Sequence, residues 1–336
     1  NIETCRIDGT LYAIPNMKEF ANGIGGFLFA KDRLKEIGFD YESEIKRSQE
    51  EAKAEGKFLL DDTITVDYEY LSDLFAKLRV GYPDKGIITA STVEDHMVPV
   101  DLLGGDIFGV LSYDSTDLKV ENLFTNELWL EYLRQVYQWN QAGYILADSL
   151  TSETAGSIRI EAGEIIGGMT NSKPGQAATA SAGESVFFQL EGYYSASDSV
   201  NDMPWGLSSQ TENPIAAMQV LNALYTDEKL SRLLCWGEEG VDYNITDDGR
   251  MEIIPDVTYN LAVQWEMPNQ FIAGICSNQP LNLWEQYEEM NKEAVISPAS
   301  GFIFDNASVQ NELVALTNVW EEYKKQMMMG FVDPDE

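Results

Sequence analysis

The chain has 336 residues, with 22 basic and 56 acidic side chains and a formal net charge of −34 at pH 7. That balance disfavours nucleic acid and anionic membrane surfaces as partners, because both need clustered Lys and Arg. An apolar share of 44%, with 14 Phe, 16 Tyr and 7 Trp, excludes a disordered acidic tail, and the length suits two folding units that each bury a core.

In chain order, Asp8-Gly9 reads as a turn into a strand over residues 10–15, which Pro15 ends. Gly23-Ile24-Gly25-Gly26 precedes a strand over residues 27–30. A dinucleotide loop must instead follow a strand and open a helix, so the glycines are no phosphate cradle. A short helix follows and stops at Gly38, and the charged stretch 41–57 reads as a solvated helix. Asp67 can cap a helix whose buried face is Leu71, Leu74, Phe75 and Leu78, and Ile87-Ile88 reads as a buried strand. Residues 126–142 predict a long helix with Trp129, Leu130, Leu133, Val136 and Tyr137 on one face, ended by Gly143. Strands are expected over 165–169 and 186–190, with a small-residue loop over 175–183 between them.

Asn213-Pro214 is a helix start, with Met218, Leu221, Leu224 and Tyr225 expected on its buried face. Thr226 is expected to cap the next helix, and residues 241–255 read as a hairpin around Asp247-Asp248-Gly249. A last helix carries Val309, Leu313, Leu316, Trp320, Tyr323 and Met327 as one apolar seam, ending before Gly330. Strands alternating with helices argue for an α/β architecture.

The chemical inventory is sparse. One histidine, His96, excludes a two-His zinc site within the chain, and no G-x-S-x-G elbow accompanies it. Ser43-Glu44-Ile45-Lys46 matches S-x-x-K, but lies in the charged helix and lacks its K-T-G partner. The calcium-loop half-match from Asn244 places Pro255 where a bidentate Glu is needed. Three separated cysteines, Cys5, Cys235 and Cys276, exclude a disulfide scaffold, and the last two read as small buried hydrophobes whose pairing stays open. No cofactor motif is present, and spacing alone leaves a glycosidase carboxylate pair open.

Four segments, in order, resemble the extracellular solute-binding lipoproteins of bacterial ABC importers, in the sugar and oligosaccharide branch of Gram-positive bacteria. They are Asp8-Gly-Thr-Leu-Tyr12-Ala-Ile-Pro15; Phe29-Ala-Lys31-Asp32-Arg-Leu34 through Gly38; Asn213-Pro214-Ile-Ala-Ala-Met218 leading to Trp236-Gly-Glu-Glu-Gly240-Val-Asp-Tyr243; and Ser297-Pro-Ala-Ser-Gly301-Phe302-Ile-Phe304-Asp305. The resemblance implies a two-lobe α/β fold of the type II periplasmic-binding-protein kind, with the first lobe incomplete and the chain cut short at both ends. It assigns residues 1–14 to the end of lobe I and the crossover strand, and 15–200 to lobe II. Residues 201–280 become the return crossing and the rest of lobe I, and 281–336 a C-terminal helical segment.

The implied function is capture of a small ligand between the lobes by hinge closure, for delivery to the permease subunits of an importer. Loops after strands then supply the contacts: Tyr12 and Asn16 at the first crossing, Glu94, Asp95 and His96 after Ile88, Thr170, Asn171 and Lys173 after Met169, and Trp205 at the return crossing. Aromatic rings with short polar arms suit an oligosaccharide more than an anion, although a peptide would use the same rings. The expected protein is a non-enzymatic monomer on the extracellular face of the membrane, held by a lipidated cysteine upstream, with no cofactor. Two other classes stay open: a carbohydrate-active enzyme with an Asp/Glu pair, and a surface adhesin with no small ligand.

Overall fold

The computed structural model describes residues 2–7, 9–89, 100–103, 108–178, 180, 183–190, 192–201, 203–255, 259 and 264–336. The chain forms two compact units: unit 1 is Asn1–Phe20 with Asp198–Glu288, and unit 2 is Ala21–Ser197 with Glu289–Glu336. Of residues 281–336, those up to Glu288 cluster with unit 1 and Glu289–Glu336 with unit 2.

Unit 1 begins with the hairpin β1 (Arg6–Ile7) and β2 (Thr10–Leu11), then β3 (Ile14–Pro15). The chain enters unit 2 through β4 (Asn22–Ala30), α1 (Lys31–Glu36), α2 (Tyr41–Ala54), β5 (Thr63–Thr65), α3 (Tyr68–Gly81) and β6 (Gly86–Thr89). It continues through β7 (Val100–Asp101), β8 (Gly109–Ser112), β9 (Glu121–Asn122), α4 (Glu127–Gln141), α5 (Gly156–Glu161), β10 (Ile165–Ser172), β11 (Ser185–Gln189) and β12 (Tyr193–Ser195). Back in unit 1 come β13 (Pro204–Trp205), α6 (Pro214–Thr226), α7 (Glu228–Trp236), β14 (Tyr243–Ile245), β15 (Met251–Ile253) and most of α8 (Leu283–Glu293). β16 (Val295–Ile296) and α9 (Gln310–Met328) complete unit 2.

Unit 2 is built on a mixed sheet centred on β4. Strands β10, β11 and β12 all pair antiparallel with β4, while β6 lies parallel to β10, β5 to β11 and β16 to β12. Because β4 runs against its neighbours, its N-terminal Asn22 reaches the sheet edge where β10 and β11 end. The glycines of residues 23–26 lie inside this strand, not in a loop before it. A β-carbon at Gly23 would meet Ser172 Oγ at 1.8 Å, and one at Gly26 would meet the Thr170 carbonyl oxygen at 2.6 Å. Close strand approach, not phosphate binding, is the reason for glycine there.

The core of unit 2 is aromatic. Phe75 of α3 lies 5.2 Å from Phe27 and 5.1 Å from Trp139, both edge-on, and Trp139 donates its indole N–H to Ser72 at 2.9 Å. Asp67 caps α3 as expected, accepting from the Tyr70 amide, and Asn126 caps α4, accepting from the Trp129 amide. The buried face of α4 is Trp129, Tyr132, Leu133, Val136 and Trp139, so Tyr132 and Trp139 take the places expected for Leu130 and Tyr137, which are only partly buried. The i, i+3, i+4, i+7 ladder from Trp129 selects this stripe.

The α9 seam is covered only in part. Trp320 and Met328 are buried, the former 6.4 Å from Trp129, while Leu316 and Tyr323 are exposed. Unit 1 packs around Cys235, Trp236, Tyr243, Met251, Met267 and Ala273. Asn213 caps α6 as expected, but Met218 is exposed and the buried pair is Leu221 and Leu224. Asp227 replaces Thr226 as the cap of α7: its carboxylate accepts from the Lys229 and Leu230 amides, whereas Thr226 Oγ1 donates back to Asn222. A carboxylate is also the better match for the helix N-terminal dipole. The β14–β15 hairpin forms as read, with Gly249 at φ 86° in its turn.

Candidate functional site

Candidate residues fall on both units. In unit 1, β3 and β13 pair antiparallel, Trp205 opposite Ile14 and Pro204 opposite Pro15. Gly206 follows directly, and a β-carbon there would meet the Tyr12 carbonyl oxygen at 3.2 Å, so Tyr12 and Trp205 belong to one neighbourhood. Tyr12 is 64% exposed, while Asn16 is buried.

Both Asn16 and Trp205 bond to the same turn, residues 264–266. Asn16 Nδ2 donates to the Trp265 carbonyl at 2.9 Å, and Trp205 Nε1 donates to the Glu266 carbonyl at 3.1 Å. The Met17 amide donates to the Pro268 carbonyl at 2.7 Å, and the Gln270 amide returns a bond to Met17 at 3.0 Å. The Lys18 ammonium lies over the Trp265 ring, 6.0 Å from its centroid. Tyr225 donates its hydroxyl to the Pro15 carbonyl at 2.9 Å, and burial with the nearby Cys5 pushes that phenol up to about 12. Backbone carbonyls thus take most of the local donors.

In unit 2, Thr170, Asn171 and Lys173 stand at the carboxyl end of β10, where the register against β4 shifts between Thr170 and Ser172. Asn171 Nδ2 donates to Asn22 Oδ1 at 3.1 Å, and Gln176 Nε2 donates to Thr170 Oγ1 at 2.9 Å. Beneath them, buried Ser172 donates to the Gln189 side-chain oxygen across Gly23. Tyr194 lies opposite Asn22 in the β12–β4 register and stacks on Tyr113, their ring centroids 3.9 Å apart. Burial raises the Tyr194 phenol to about 12; the Ser297 hydrogen bond opposes the rise and the nearby Asp101 carboxylate adds to it. The amides and hydroxyls of Asn22, Asn171, Thr170 and Gln176 form the patch, with the Lys173 ammonium following in sequence. Such groups recognise hydroxyl-rich surfaces.

The structure thus gathers Tyr12, Asn16 and Trp205 on unit 1, and Thr170, Asn171 and Lys173 on unit 2. Glu94, Asp95 and His96 lie outside the described residues. Sequence reasoning missed Trp265, Asn22, Tyr113 and Gln176. Asn22 adjoins the glycine run, and only the topology of β4 carries it to the ends of β10 and β11. Trp265 lies 60 residues beyond Trp205, with no periodic pattern around it. Among the described residues no cluster of His, Cys, Asp and Glu could hold a metal, and no helix is long and apolar enough to cross a membrane.

A family model described as a domain of unknown function (DUF3502) matches residues 298–336. The chain is similar to a carbohydrate ABC transporter substrate-binding protein of Streptococcus pneumoniae, 22% identical over 297 residues, and spans 58% of that relative's length with 83% of its own. Among solved structures, it is similar to the N-glycan transport solute binding protein (NgtS) of the same species, with a TM-score of 0.80 at 20% identity, covering 100% of this chain and 71% of the other. The complex of that protein with Man5GlcNAc gives a TM-score of 0.76, covering 99% and 70% of the two chains. The fold is that of these solute-binding proteins.

Proposed function

We propose that this chain is the ligand-capturing part of a solute receptor for an ABC importer, and that its ligand is a neutral oligosaccharide. One observation carries the reading: on this fold, each unit carries aromatic and neutral polar groups together, around Tyr12, Trp205 and Trp265 in one and Asn22, Thr170, Asn171 and the half-buried Tyr113, stacked on buried Tyr194, in the other. Sugar rings offer apolar C–H faces to aromatic side chains and hydroxyls to amides. An anionic ligand would need paired Arg or Lys, and the cations named at these contacts are Lys18, over the Trp265 ring in one unit, and Lys173 in the other. The names of the similar proteins support the same ligand class. Glu94, Asp95 and His96 are retained as loop contacts in this reading.

The chain binds its ligand and does not transform it. It works as a monomer on the outer face of the membrane, held by a lipidated cysteine preceding residue 1, and hands its ligand to the permease subunits. Thermal shift against neutral oligosaccharides and oligopeptides tests the ligand class, since ligand binding raises Tm by mass action. A response to glycans alone is expected. A response to peptides alone overturns the sugar assignment, and turnover of a glycan that one carboxylate substitution abolishes overturns the receptor reading.

A further inference from the structure

Of the seven tryptophans, Trp129, Trp139, Trp236 and Trp320 are buried and Trp205 and Trp284 are partly covered; Trp265 is the exposed one, at 40%. Yet its backbone is not that of a loose surface turn. Two successive carbonyls, those of Trp265 and Glu266, accept from the side chains of Asn16 and Trp205, which are 249 and 61 residues away in sequence. The Met17 amide takes the Pro268 carbonyl, and the Met267 amide closes the turn onto Gln264 at 3.1 Å. Gln264 in turn donates its side-chain amide to the Gly274 carbonyl at 2.6 Å. The Lys18 ammonium also lies over the indole, 6.0 Å from its centroid. An exposed aromatic whose backbone is fixed from several directions is preorganised: it orders nothing further when a partner stacks on it, so little entropy is lost on binding.

We infer that Trp265 is the ring on which the ligand of unit 1 stacks, and that Asn16 and Trp205 are positioning residues that hold its turn rather than ligand contacts. The inference rests on the proposed receptor reading and assigns roles within it. Trp205 is less suited to the platform role because it is partly covered, whereas Trp265 is exposed; its indole N–H instead ties it to the Glu266 carbonyl of the turn. Asn16 is buried with its amide committed to Trp265. The partner chemistry is the apolar face of a neutral pyranose or furanose ring.

The test uses the full chain and three probes, Man1GlcNAc, Man5GlcNAc and maltotetraose, read by calorimetry and by the ligand-induced change in tryptophan fluorescence. Trp265→Ala should weaken binding by about 10- to 100-fold, as loss of an aromatic anchor does. Trp265→Phe should restore part of that affinity while abolishing most of the fluorescence change, with an unliganded Tm close to wild type. Trp205→Phe keeps a ring but loses the indole donor; it should weaken binding by about 3- to 10-fold, as loss of one hydrogen bond does, and keep the fluorescence change at saturating ligand. The assignment is overturned if Trp265→Ala binds with wild-type affinity, or if Trp205→Phe abolishes the fluorescence change and Trp265→Phe preserves it. A wild-type chain silent to all three glycans contradicts the receptor reading itself, which separates the two failures.

Discussion

Gly26→Ala isolates the steric demand that holds β10 against β4. A β-carbon at Gly26 would stand 2.6 Å from the Thr170 carbonyl oxygen, 3.6 Å from the Ser172 amide nitrogen and 3.7 Å from the Phe187 ring. The nearest atom is backbone, so no rotamer change can make room; β10 itself must move, at the residue directly paired with Gly26. Overpacking of this kind costs about 1–3 kcal/mol. Against it stands the smaller unfolded-state entropy of alanine, which favours the variant by about 0.4–1 kcal/mol. Taking the middle of each range, the net expectation is destabilisation of about 1.3 kcal/mol, read as a lower urea midpoint with an unchanged slope. Gly192→Ala is the control, because a β-carbon there meets nothing within 4 Å; it should be neutral or slightly stabilising. The reasoning fails if Gly26→Ala is as stable as wild type, or if both variants shift alike.

Phe75→Ala removes a fully buried ring that touches Phe27, Phe29 and Trp139, and should cost about 3–5 kcal/mol in urea unfolding. The Cys235 thiol is pushed up to about 12 by burial, with Cys276 nearby adding to it, so native protein should leave it unlabelled by a thiol reagent at pH 8 and react only on unfolding. Its neutral form is favoured by folding, as for the Tyr193, Tyr194 and Tyr225 phenols, which burial also raises. The stability these groups contribute is complete below their unfolded values near 9–10 and is lost as pH climbs toward 12 and beyond. Alkaline unfolding curves should therefore fall steadily from about pH 9–10, and a flat profile to pH 12 would contradict the burial of these groups.

Local signals are legible where one element settles them. Asp67 and Asn213 cap helices because a short side-chain acceptor beside a free amide is a local matter, and the Asp247-Asp248-Gly249 turn is equally local. Errors arose where tertiary packing decides. The α9 seam looks continuous, yet of its residues only Trp320 is buried, against Trp129 and Phe124, while Leu316 and Tyr323 are exposed. The glycines before Phe27 read as a loop because glycine depresses strand propensity, while the sheet demands them for the approach of Thr170 and Ser172. In the candidate site, chain order points to Asn16 and Trp205 but not to the turn they both bond, because a bond from residue 16 to residue 265 leaves no pattern in either segment. Asn171 is placed by its position after a strand, and its partner Asn22 is not, since only the reversed direction of β4 unites them.

The central claim is that this chain captures a neutral oligosaccharide. Titration calorimetry of the full chain with Man5GlcNAc, alongside an oligopeptide of similar mass, tests it most directly. Saturable binding of the glycan with a stoichiometry near one, and no heat from the peptide, is the predicted result. Saturable peptide binding with no response to the glycan would contradict it.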